Sequence, residues 1–181
     1  MAEAREFQRC ALMMGVLSTL EVQHDRLISV LEDNFGPVEM HSPVMDFSYT
    51  DYYDSEMGGR PVRYLLLFRN LIDPSALADI KALTNNLEKQ FSLEEKRRIN
   101  LDPGTLSLAN LILATCKDRS HRIPLKDGIY GETTLIYQDH DFQRLPWTYA
   151  DYSSEEVRAV LRSFRSRYRE LLKATEKVGC F

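Results

Sequence analysis

Residues 10–17 read Cys10-Ala11-Leu12-Met13-Met14-Gly15-Val16-Leu17, a continuous apolar run that is short enough to be a β-strand buried on both faces. The segment Ser18-Thr19-Leu20-Glu21 follows and matches the S-x-x-E capping box at the start of a helix. Apolar residues at helical spacing continue to Phe35, and Gly36 and Pro37 end the helix. This part of the chain therefore predicts a buried strand followed by an amphipathic helix.

The chain continues with two more strands and a second helix. Val38–Phe47 and Val62–Leu71 have strand character, and the polar stretch Tyr49–Gly59 between them predicts a loop. Asp73-Pro74 then supplies an N-cap with proline at the first helical position, and apolar residues at helical spacing continue to Phe91. These segments predict the order strand, helix, strand, strand, helix.

A fourth strand completes the predicted core. It spans Arg97–Leu101 and ends at Asp102-Pro103-Gly104, which has the composition of a turn because proline presets one backbone angle and glycine allows an unusual one. The resulting β-α-β-β-α-β order predicts a ferredoxin-like core, in which two helices cover one face of an antiparallel sheet. A length of 181 residues with 44% hydrophobic residues suits one core, so we expect a single α+β domain over residues 1–181.

Beyond this core the sequence predicts an extension by a C-terminal β-hairpin region and a closing helix. Ser107–Cys116 fits neither the strand nor the helix period cleanly, and we interpret it as a strand. An Asp-Gly turn joins Ile123–Leu125 to Ile129–Gln138 in a hairpin. Ser153-Ser154-Glu155-Glu156 is a second capping box, and the apolar face of the helix that follows runs from Val157 to Leu172.

The composition predicts a cytoplasmic protein with no membrane contact, and it makes nucleic acid an unfavoured partner. The formal net charge is -4, so any contact with a polyanion has to be local. No segment approaches the roughly 20 apolar residues that span a bilayer, and Met1–Glu6 lacks the apolar stretch of a signal peptide. Cys10, Cys116 and Cys180 lie far apart without a CxxC pair, which favours reduced thiols.

Charged side chains that could form a functional site are most concentrated between Arg97 and Glu132. We interpret this segment as a pocket for an anionic small molecule such as a nucleotide or a phosphate ester, because arginine and lysine hold such anions through charge-assisted hydrogen bonds. A histidine beside a carboxylate can also carry a proton. The predicted ligand-binding residues are Arg97, Arg98, Asn100, Lys117 and Arg122. The predicted catalytic residues are His121, Glu132 and Asp102.

Three other interpretations fit the same sequence. The charged residues can be ordinary turn residues and ion pairs, and Glu132 can lie on a solvated face. A row of cations on the last helix would suit a protein or RNA interaction module, although such a row is more often a solvated helix face; its members are Arg158, Arg162, Arg165, Arg169 and Lys173. The tyrosines of the 49–53 segment would suit a structural homodimer.

No motif in the sequence identifies a reaction or a cofactor. There is no GxxxxGK[ST] loop, no GxSxG elbow and no HExxH pair. His41 and His121 have no partner at metal-ligand spacing, and the acidic stretch Asp46–Glu56 matches no calcium loop, so we expect no metal site. The cofactor is unknown from the sequence, and whether the protein is an enzyme stays open.

Four separated motifs stand out in combination. They are Thr50-Asp51-Tyr52-Tyr53 with Glu56-Met57-Gly58, Asn100-Leu101-Asp102-Pro103-Gly104, Ser120-His121-Arg122-Ile123, and Leu145-Pro146-Trp147-Thr148-Tyr149 with Asp151-Tyr152. Together they resemble the bacterial domain-of-unknown-function family four-four-one-six, from the first strand to the last helix. The resemblance implies no function, because members of that family are uncharacterised. It marks as motif positions, without assigned roles, Asp51, Tyr53, Glu56, Asn100, Asp102, Lys117, His121, Arg122, Glu132, Trp147 and Tyr149.

Overall fold

The computed structural model describes residues 3–20, 23–50, 52–93 and 96–178. Within these residues, four α-helices accompany a nine-stranded sheet in which every paired strand runs antiparallel. The helices are α1 (His24–Phe35), α2 (Tyr52–Met57), α3 (Leu77–Gln90) and α4 (Glu155–Val178). The sheet contains β1 (Cys10–Ser18), β2 (Val38–His41), β3 (Met45–Asp46), β4 (Val62–Ile72), β7 (Ile99–Leu106), β8 (Asn110–Thr115), β9 (Ile123–Lys126), β10 (Ile129–Gln138) and β11 (Asp141–Arg144). A separate ribbon pairs β5 (Ser92–Leu93) with β6 (Lys96–Arg97).

Strand β1 lies in the middle of the sheet because its side chains are apolar on both faces. It pairs with β4 on one side and with β7 on the other, and all of its residues are buried. Alternate side chains point to opposite faces of a strand. Leu12, Met14 and Val16 pack with α1 and α3, whereas Ala11 and Met13 pack with α4. The prediction of a doubly buried first strand is confirmed, and the sheet separates two helical layers.

The sheet runs in the order β11-β10-β8-β7-β1-β4-β2, with β3 paired to β4 and β9 paired to β10. An α+β protein with an antiparallel sheet is therefore confirmed. The C-terminal strands β8, β10 and β11 extend the sheet beyond β7, so the sheet is larger than the ferredoxin-like core that the sequence predicts. Among the described residues, no helix is both long enough and apolar enough to cross a bilayer.

The turn predicted at Asp102-Pro103-Gly104 is wrong, because these residues continue strand β7. They pair with Gly15, Met14 and Met13 of β1. A proline is tolerated here because the ladder between β7 and β8 begins only at Gly104, so Pro103 lies just outside it. Composition signals a turn at this point, but pairing with the central strand overrides that signal.

Three other predicted boundaries in the first half of the chain differ from the structure. Ser18 belongs to β1, and α1 begins only at His24, after an N-cap residue that makes no side-chain capping bond; Glu21 of the predicted capping box lies outside the described residues. The predicted strand Val38–Phe47 is divided into β2 and β3 by Ser42, whose Oγ accepts a hydrogen bond from the backbone N–H of Leu65 (2.8 Å). The predicted 49–59 loop contains helix α2.

The predicted elements of the C-terminal half are confirmed. Ser107–Cys116 contains strand β8, and the β9–β10 hairpin turns at Asp127 and Gly128, both with positive φ. Helix α4 begins after Ser154, whose Oγ accepts a hydrogen bond from the N–H of Val157 (3.2 Å). Local turn and capping chemistry therefore predicts this part of the fold.

Strands β7 and β8 approach closely at Gly104, and their pairing covers only Gly104–Leu106 of β7. A Cβ at Gly104 would lie 2.7 Å from Leu113 Cδ2 and 2.8 Å from the carbonyl oxygen of Ile112. Further along β7, Leu101 bonds to helix α3 instead. Its carbonyl accepts from Lys81 Nζ (2.7 Å), and its N–H donates to Glu88 Oε1 (2.8 Å). Side chains of α3 thus replace β8 as the partner of this part of β7.

We expect Gly104→Ala to destabilise the protein by about 1–3 kcal/mol, because the added methyl group overpacks the contact between β7 and β8. Gly59→Ala is the matched control, since its Cβ would meet no heavy atom closer than 3.9 Å. Urea denaturation of both variants checks this prediction. Equal unfolding midpoints for the two variants would contradict it.

Candidate functional site

A cavity of about 480 Å³ lies beside the part of β7 that has no β8 partner, and we call it the central cavity. Its walls come from β4, β7, β10, α3, the end of β8 and the segments 47–50, 52–53 and 149–152. Five residues of the predicted site line it: Arg97, Asn100, Asp102, Lys117 and Glu132. Asp51, a motif position of the 50–53 segment, lies outside the described residues.

Arg63 of β4 is a deeply buried cation in the central cavity, with a side chain that is 6% exposed. Its Nη2 donates to Asp151 Oδ2 (2.6 Å), and its Nη1 lies 3.5 Å from Asp102 Oδ2. Burial alone would lower the pKa of Arg63, but the negative charges of Asp151 and Asp102 beside it favour the charged guanidinium, and the pKa is raised. Its Nε is buried and has no hydrogen-bond partner in the described chain.

Tyr152 meets Arg63 above Gly15 of the central strand. A Cβ at Gly15 would lie 2.2 Å from Tyr152 Oη and 2.9 Å from Arg63 Nη1, so only glycine leaves room for both polar groups. Tyr152 is buried, and its hydroxyl has no hydrogen-bond partner among the described residues. Burial raises the pKa of Tyr152 well above its ordinary value, so the phenol stays protonated and keeps a hydrogen to donate.

Arg97 joins α2, α3 and β7 at another wall of the cavity. Its guanidinium contacts Glu56 Oε1 through Nε (2.8 Å) and Glu88 Oε2 through Nη1 (3.1 Å). The same Nη1 donates to Asn100 Oδ1 (2.9 Å), which leaves the buried Asn100 Nδ2 without a partner in the described chain. Burial raises the pKa of Glu88, and Lys81 and Arg97 offset this only in part.

Glu132 of β10 is 1% exposed, and its two carboxylate oxygens have different surroundings. Its Oε2 accepts from Arg122 Nε (2.6 Å) and lies 3.0 Å from His121 Nε2. Its Oε1 is buried without a partner in the described residues, and Glu132 lines the central cavity. The structure thus brings together His121, Arg122 and Glu132, but only Glu132 itself lines the cavity.

Arg122 connects three parts of the cavity wall. Besides Glu132, it donates to the carbonyl oxygen of Lys117 (2.6 Å) and to Tyr149 Oη (2.7 Å). His121 stacks on Trp147 with ring centroids 4.8 Å apart. Arg122 and His121 hold Glu132 from outside the cavity, because both contact its Oε2 and neither lines the cavity.

The two remaining cations of the predicted site differ in position. Arg98 Nη1 donates to the carbonyl oxygens of Met57 and Gly58 (both 3.1 Å), and Arg98 lines a second cavity of about 520 Å³. Lys117 lines the central cavity, where its Nζ lies 5.5 Å from the ring centroid of Tyr52. Within the described residues Lys117 forms no ion pair. The structure therefore separates Arg98 from the other predicted residues.

Sequence reasoning did not select five polar residues that line the central cavity: Arg63, Lys81, Glu88, Asp151 and Tyr152. Arg63 carried a signal, since it is the charged residue within the apolar run Val62–Phe68. Lys81 and Glu88 lie seven residues apart, which places both on one face of α3. Asp151 and Tyr152 belong to a quoted motif, but nothing local connects them to Arg63, which lies 88 residues from Asp151.

The row of cations on α4 is largely engaged with the protein. Arg158 and Arg162 both pair with Asp141 and Glu155. Arg165 donates to the carbonyl oxygen of Leu108 (2.8 Å) and lies over the ring of a tyrosine in β10. These contacts fix α4 to the sheet and reduce the positive charge available to a partner.

The described residues contain two free cysteines and no cluster of side chains that could bind a metal ion. Cys10 is a buried free thiol, and Cys116 is an exposed free thiol beside the cavity, whereas Cys180 lies outside the described residues. Asn85 Nδ2 lies 3.3 Å from Cys116 Sγ. No group of three or more His, Cys, Asp or Glu side chains in the described ranges is arranged to hold a metal ion.

Comparison with known proteins identifies the family of the chain. A sequence model of the family described as domain of unknown function (DUF4416) matches residues 8–168, which confirms the resemblance carried by the four motifs. No curated protein and no solved structure matches the chain. The match assigns no ligand and no reaction to the central cavity.

We expect Glu132→Ala to destabilise the protein by about 3–5 kcal/mol, because it leaves the buried guanidinium of Arg122 without its carboxylate. Urea denaturation measures the loss. Asp79→Ala is the control, since it removes an exposed ion pair with Lys126 and should leave the midpoint nearly unchanged. A Glu132→Ala midpoint equal to that of the control would show that this buried pair does not support the fold.

Proposed function

We propose that this chain, which belongs to the family described as domain of unknown function (DUF4416), binds an anionic small molecule in the central cavity. A nucleotide or a phosphate ester is the ligand class that we favour. One observation carries the proposal: apart from Arg97 Nε, which lies 2.8 Å from Glu56 Oε1, four buried polar atoms without hydrogen-bond partners in the described chain belong to residues that line this cavity. They are Arg63 Nε, Asn100 Nδ2, Tyr152 Oη and Glu132 Oε1.

Unpaired buried polar atoms favour a bound partner because each costs about 1–3 kcal/mol when it is left without a hydrogen bond. Three of the four groups can donate: the guanidinium of Arg63, the amide of Asn100 and the phenol of Tyr152. Phosphate and carboxylate oxygens are suitable acceptors for such groups. A volume of about 480 Å³ lies within the range of small-molecule sites.

The cationic contact that we assign to the anion is Lys117. It lines the cavity, is exposed and forms no ion pair within the part of the chain that the structure describes. Arg97 and Arg122 were predicted to contact the ligand directly, but their guanidinium groups already bond to protein oxygens, so we assign them to holding the wall. Arg98 has no part in the proposal, because it lines the second cavity.

The proposal includes one proton-accepting group. Glu132 has a carboxylate oxygen without a partner, and general bases need such an oxygen within reach of the ligand. His121 is a positioning residue in this scheme, because its Nε2 lies 3.0 Å from the other oxygen of Glu132. Asp102 lines the same cavity as a second carboxylate. The proposal is for binding and assigns no reaction.

The two other functions that the sequence leaves open receive less support. A protein or RNA interaction module would use the cations of α4, but Arg158 and Arg162 are paired with acids of the same molecule. A homodimer would use the tyrosines of the 49–53 segment, but Tyr49, Tyr52 and Tyr53 line the central cavity. Both segments therefore have a role within the fold.

We also propose a fold assignment and a location. We assign a ferredoxin-like core within one domain over residues 1–181, and the strand order β7-β1-β4-β2 with α1 and α3 on one face supports this assignment. The free thiols Cys10 and Cys116 support a cytoplasmic setting.

Thermal-shift screening tests the binding proposal with nucleoside phosphates, sugar phosphates and inorganic phosphate as probes. At about 100 times its Kd a ligand adds roughly 2.7 kcal/mol of stability, so we expect at least one probe to raise Tm by several degrees. Lys117→Ala and Asn100→Ala should reduce that shift. Lys126→Ala, which removes an exposed lysine bonded to Asp79, should leave it unchanged.

Two results would contradict the binding proposal. One is a panel in which no probe raises Tm at millimolar concentration. The other is a shift that is the same size in Lys117→Ala as in the unaltered protein, since the anion would then bind away from the central cavity.

A further inference from the structure

We infer that the ligand of the central cavity is dipolar, with an ammonium group beside Asp102 in addition to an anionic group beside Lys117. This inference rests on the proposed function and makes its ligand class narrower. It follows from the distribution of formal charge along the walls of the cavity.

We call the part of the cavity around the buried pair Arg63 and Asp151 its deep part, and this part carries a formal excess of negative charge. Arg63 is the cation there, and it faces two carboxylates, Asp102 and Asp151. Arg63 pairs closely with Asp151 (2.6 Å), and both side chains are less than 10% exposed. That ion pair is therefore neutral as a unit, and Asp102 remains as the second carboxylate.

Asp102 is only weakly neutralised. Its contact with Arg63 Nη1 is long, at 3.5 Å, and its side chain is 27% exposed although the strand around it is buried. Gly15 and Tyr152 lie close to Asp102 and Arg63, and neither adds a positive charge that could neutralise the Asp102 carboxylate. The carboxylate of Asp102 thus keeps acceptor capacity toward the cavity and would favour a ligand group that is positively charged and donates hydrogen bonds.

The ionic groups on the rest of the wall have the opposite excess. The described residues that line the cavity carry four cations and four carboxylates: Arg63, Lys81, Arg97 and Lys117, with Glu88, Asp102, Glu132 and Asp151. Since the total is balanced and the deep part is negative, one positive charge is left over elsewhere. The two charged residues directly behind the wall, Arg122 on Glu132 and Glu56 on Arg97, cancel each other.

The extra positive charge is best assigned to Lys117. Lys81 and Arg97 both lie near the carboxylate of Glu88, at 3.9 Å and 3.1 Å, whereas Lys117 contacts the ring of Tyr52. The cavity therefore has a negative deep end at Asp102 and a positive group at Lys117. A ligand with an anion at one end and an ammonium at the other complements both, and a simple phosphate dianion complements only one.

Three hydrogen-bond donors of the protein without partners indicate which ligand atoms lie near the ammonium group. Arg63 Nε, Asn100 Nδ2 and Tyr152 Oη are buried and without partners in the described ranges, and acceptor atoms on the ligand would satisfy them. The aromatic side chains Tyr49, Tyr52 and Tyr149 line the same cavity and supply flat apolar area. The chemical class is thus a phosphate ester that also carries an amine and a ring or hydroxyl oxygens.

Two probes differ in the ammonium group and share the rest. Pyridoxamine 5′-phosphate and pyridoxine 5′-phosphate have the same ring and phosphate, with an aminomethyl group in one where the other has a hydroxymethyl group. Titration calorimetry on the whole chain gives both dissociation constants. We expect the amine to bind about tenfold more tightly or better, as for one added charge-assisted hydrogen bond. Equal binding, or tighter binding of the alcohol, overturns the inference.

Asp102→Asn tests whether this carboxylate is the source of the preference. The variant keeps the shape of the side chain and removes its charge, so the affinity ratio of the two probes should fall to about one. Asp79→Asn, which alters an exposed carboxylate, should keep the ratio of the unaltered protein. A ratio that persists in Asp102→Asn overturns the inference, and if that variant does not fold, the comparison in the unaltered chain remains decisive.

The outcomes separate this inference from the proposed function. If both probes bind equally and Lys117→Ala weakens both, the ligand is anionic but not dipolar, and the proposed function stands alone. If neither these probes nor any member of the thermal-shift panel binds, the proposed function fails and the inference falls with it.

Discussion

The separation of β7 from β8 is the constraint on which the candidate site depends. Sheet strands normally satisfy each other's backbone groups, and a strand that leaves its neighbour needs other partners. Here Lys81 and Glu88 of α3 supply those partners by bonding to the carbonyl and the N–H of Leu101. Their charges are thereby buried beside the cavity that this separation leaves open. The cavity is a direct consequence of how one strand meets its hydrogen-bonding needs.

Burial beside that opening determines the chemistry of the site. Arg63, Glu132 and Tyr152 are all less than a tenth exposed, yet each keeps one polar atom without a protein partner in the described residues. Most buried polar groups in folded proteins are paired, and exceptions concentrate where a ligand or an ordered water takes part. The same residues also make ion pairs or aromatic contacts that hold them in place. The side chains of the site are thus held in place while some of their polar atoms lack hydrogen-bond partners, and this combination favours the binding of a ligand.

Some contacts of the site could be predicted from the sequence because the residues that form them are close along the chain. His121 and Arg122 directly precede β9, and the pairing of β9 with β10 brings them to Glu132. Arg98 follows Arg97 directly and shares its charge, but the two side chains line different cavities. Sequence reasoning treated them as equivalent, and only the packing of α2 and β7 distinguishes them.

The sequence by itself determined the central strand β1, the helices α1 and α3 that pack on one face of it, the β9–β10 turn and the start of α4. These features depend on the spacing of apolar residues and on turn and capping residues, which are local in the sequence. It did not determine that Asp102-Pro103-Gly104 continues a strand, since a composition that suits a turn yields to pairing with β1. Only the tertiary structure decided that Arg63 meets Asp151 and that Glu88 meets Leu101. Those contacts join residues from separate elements, and no local pattern records which buried charges will face each other across a sheet.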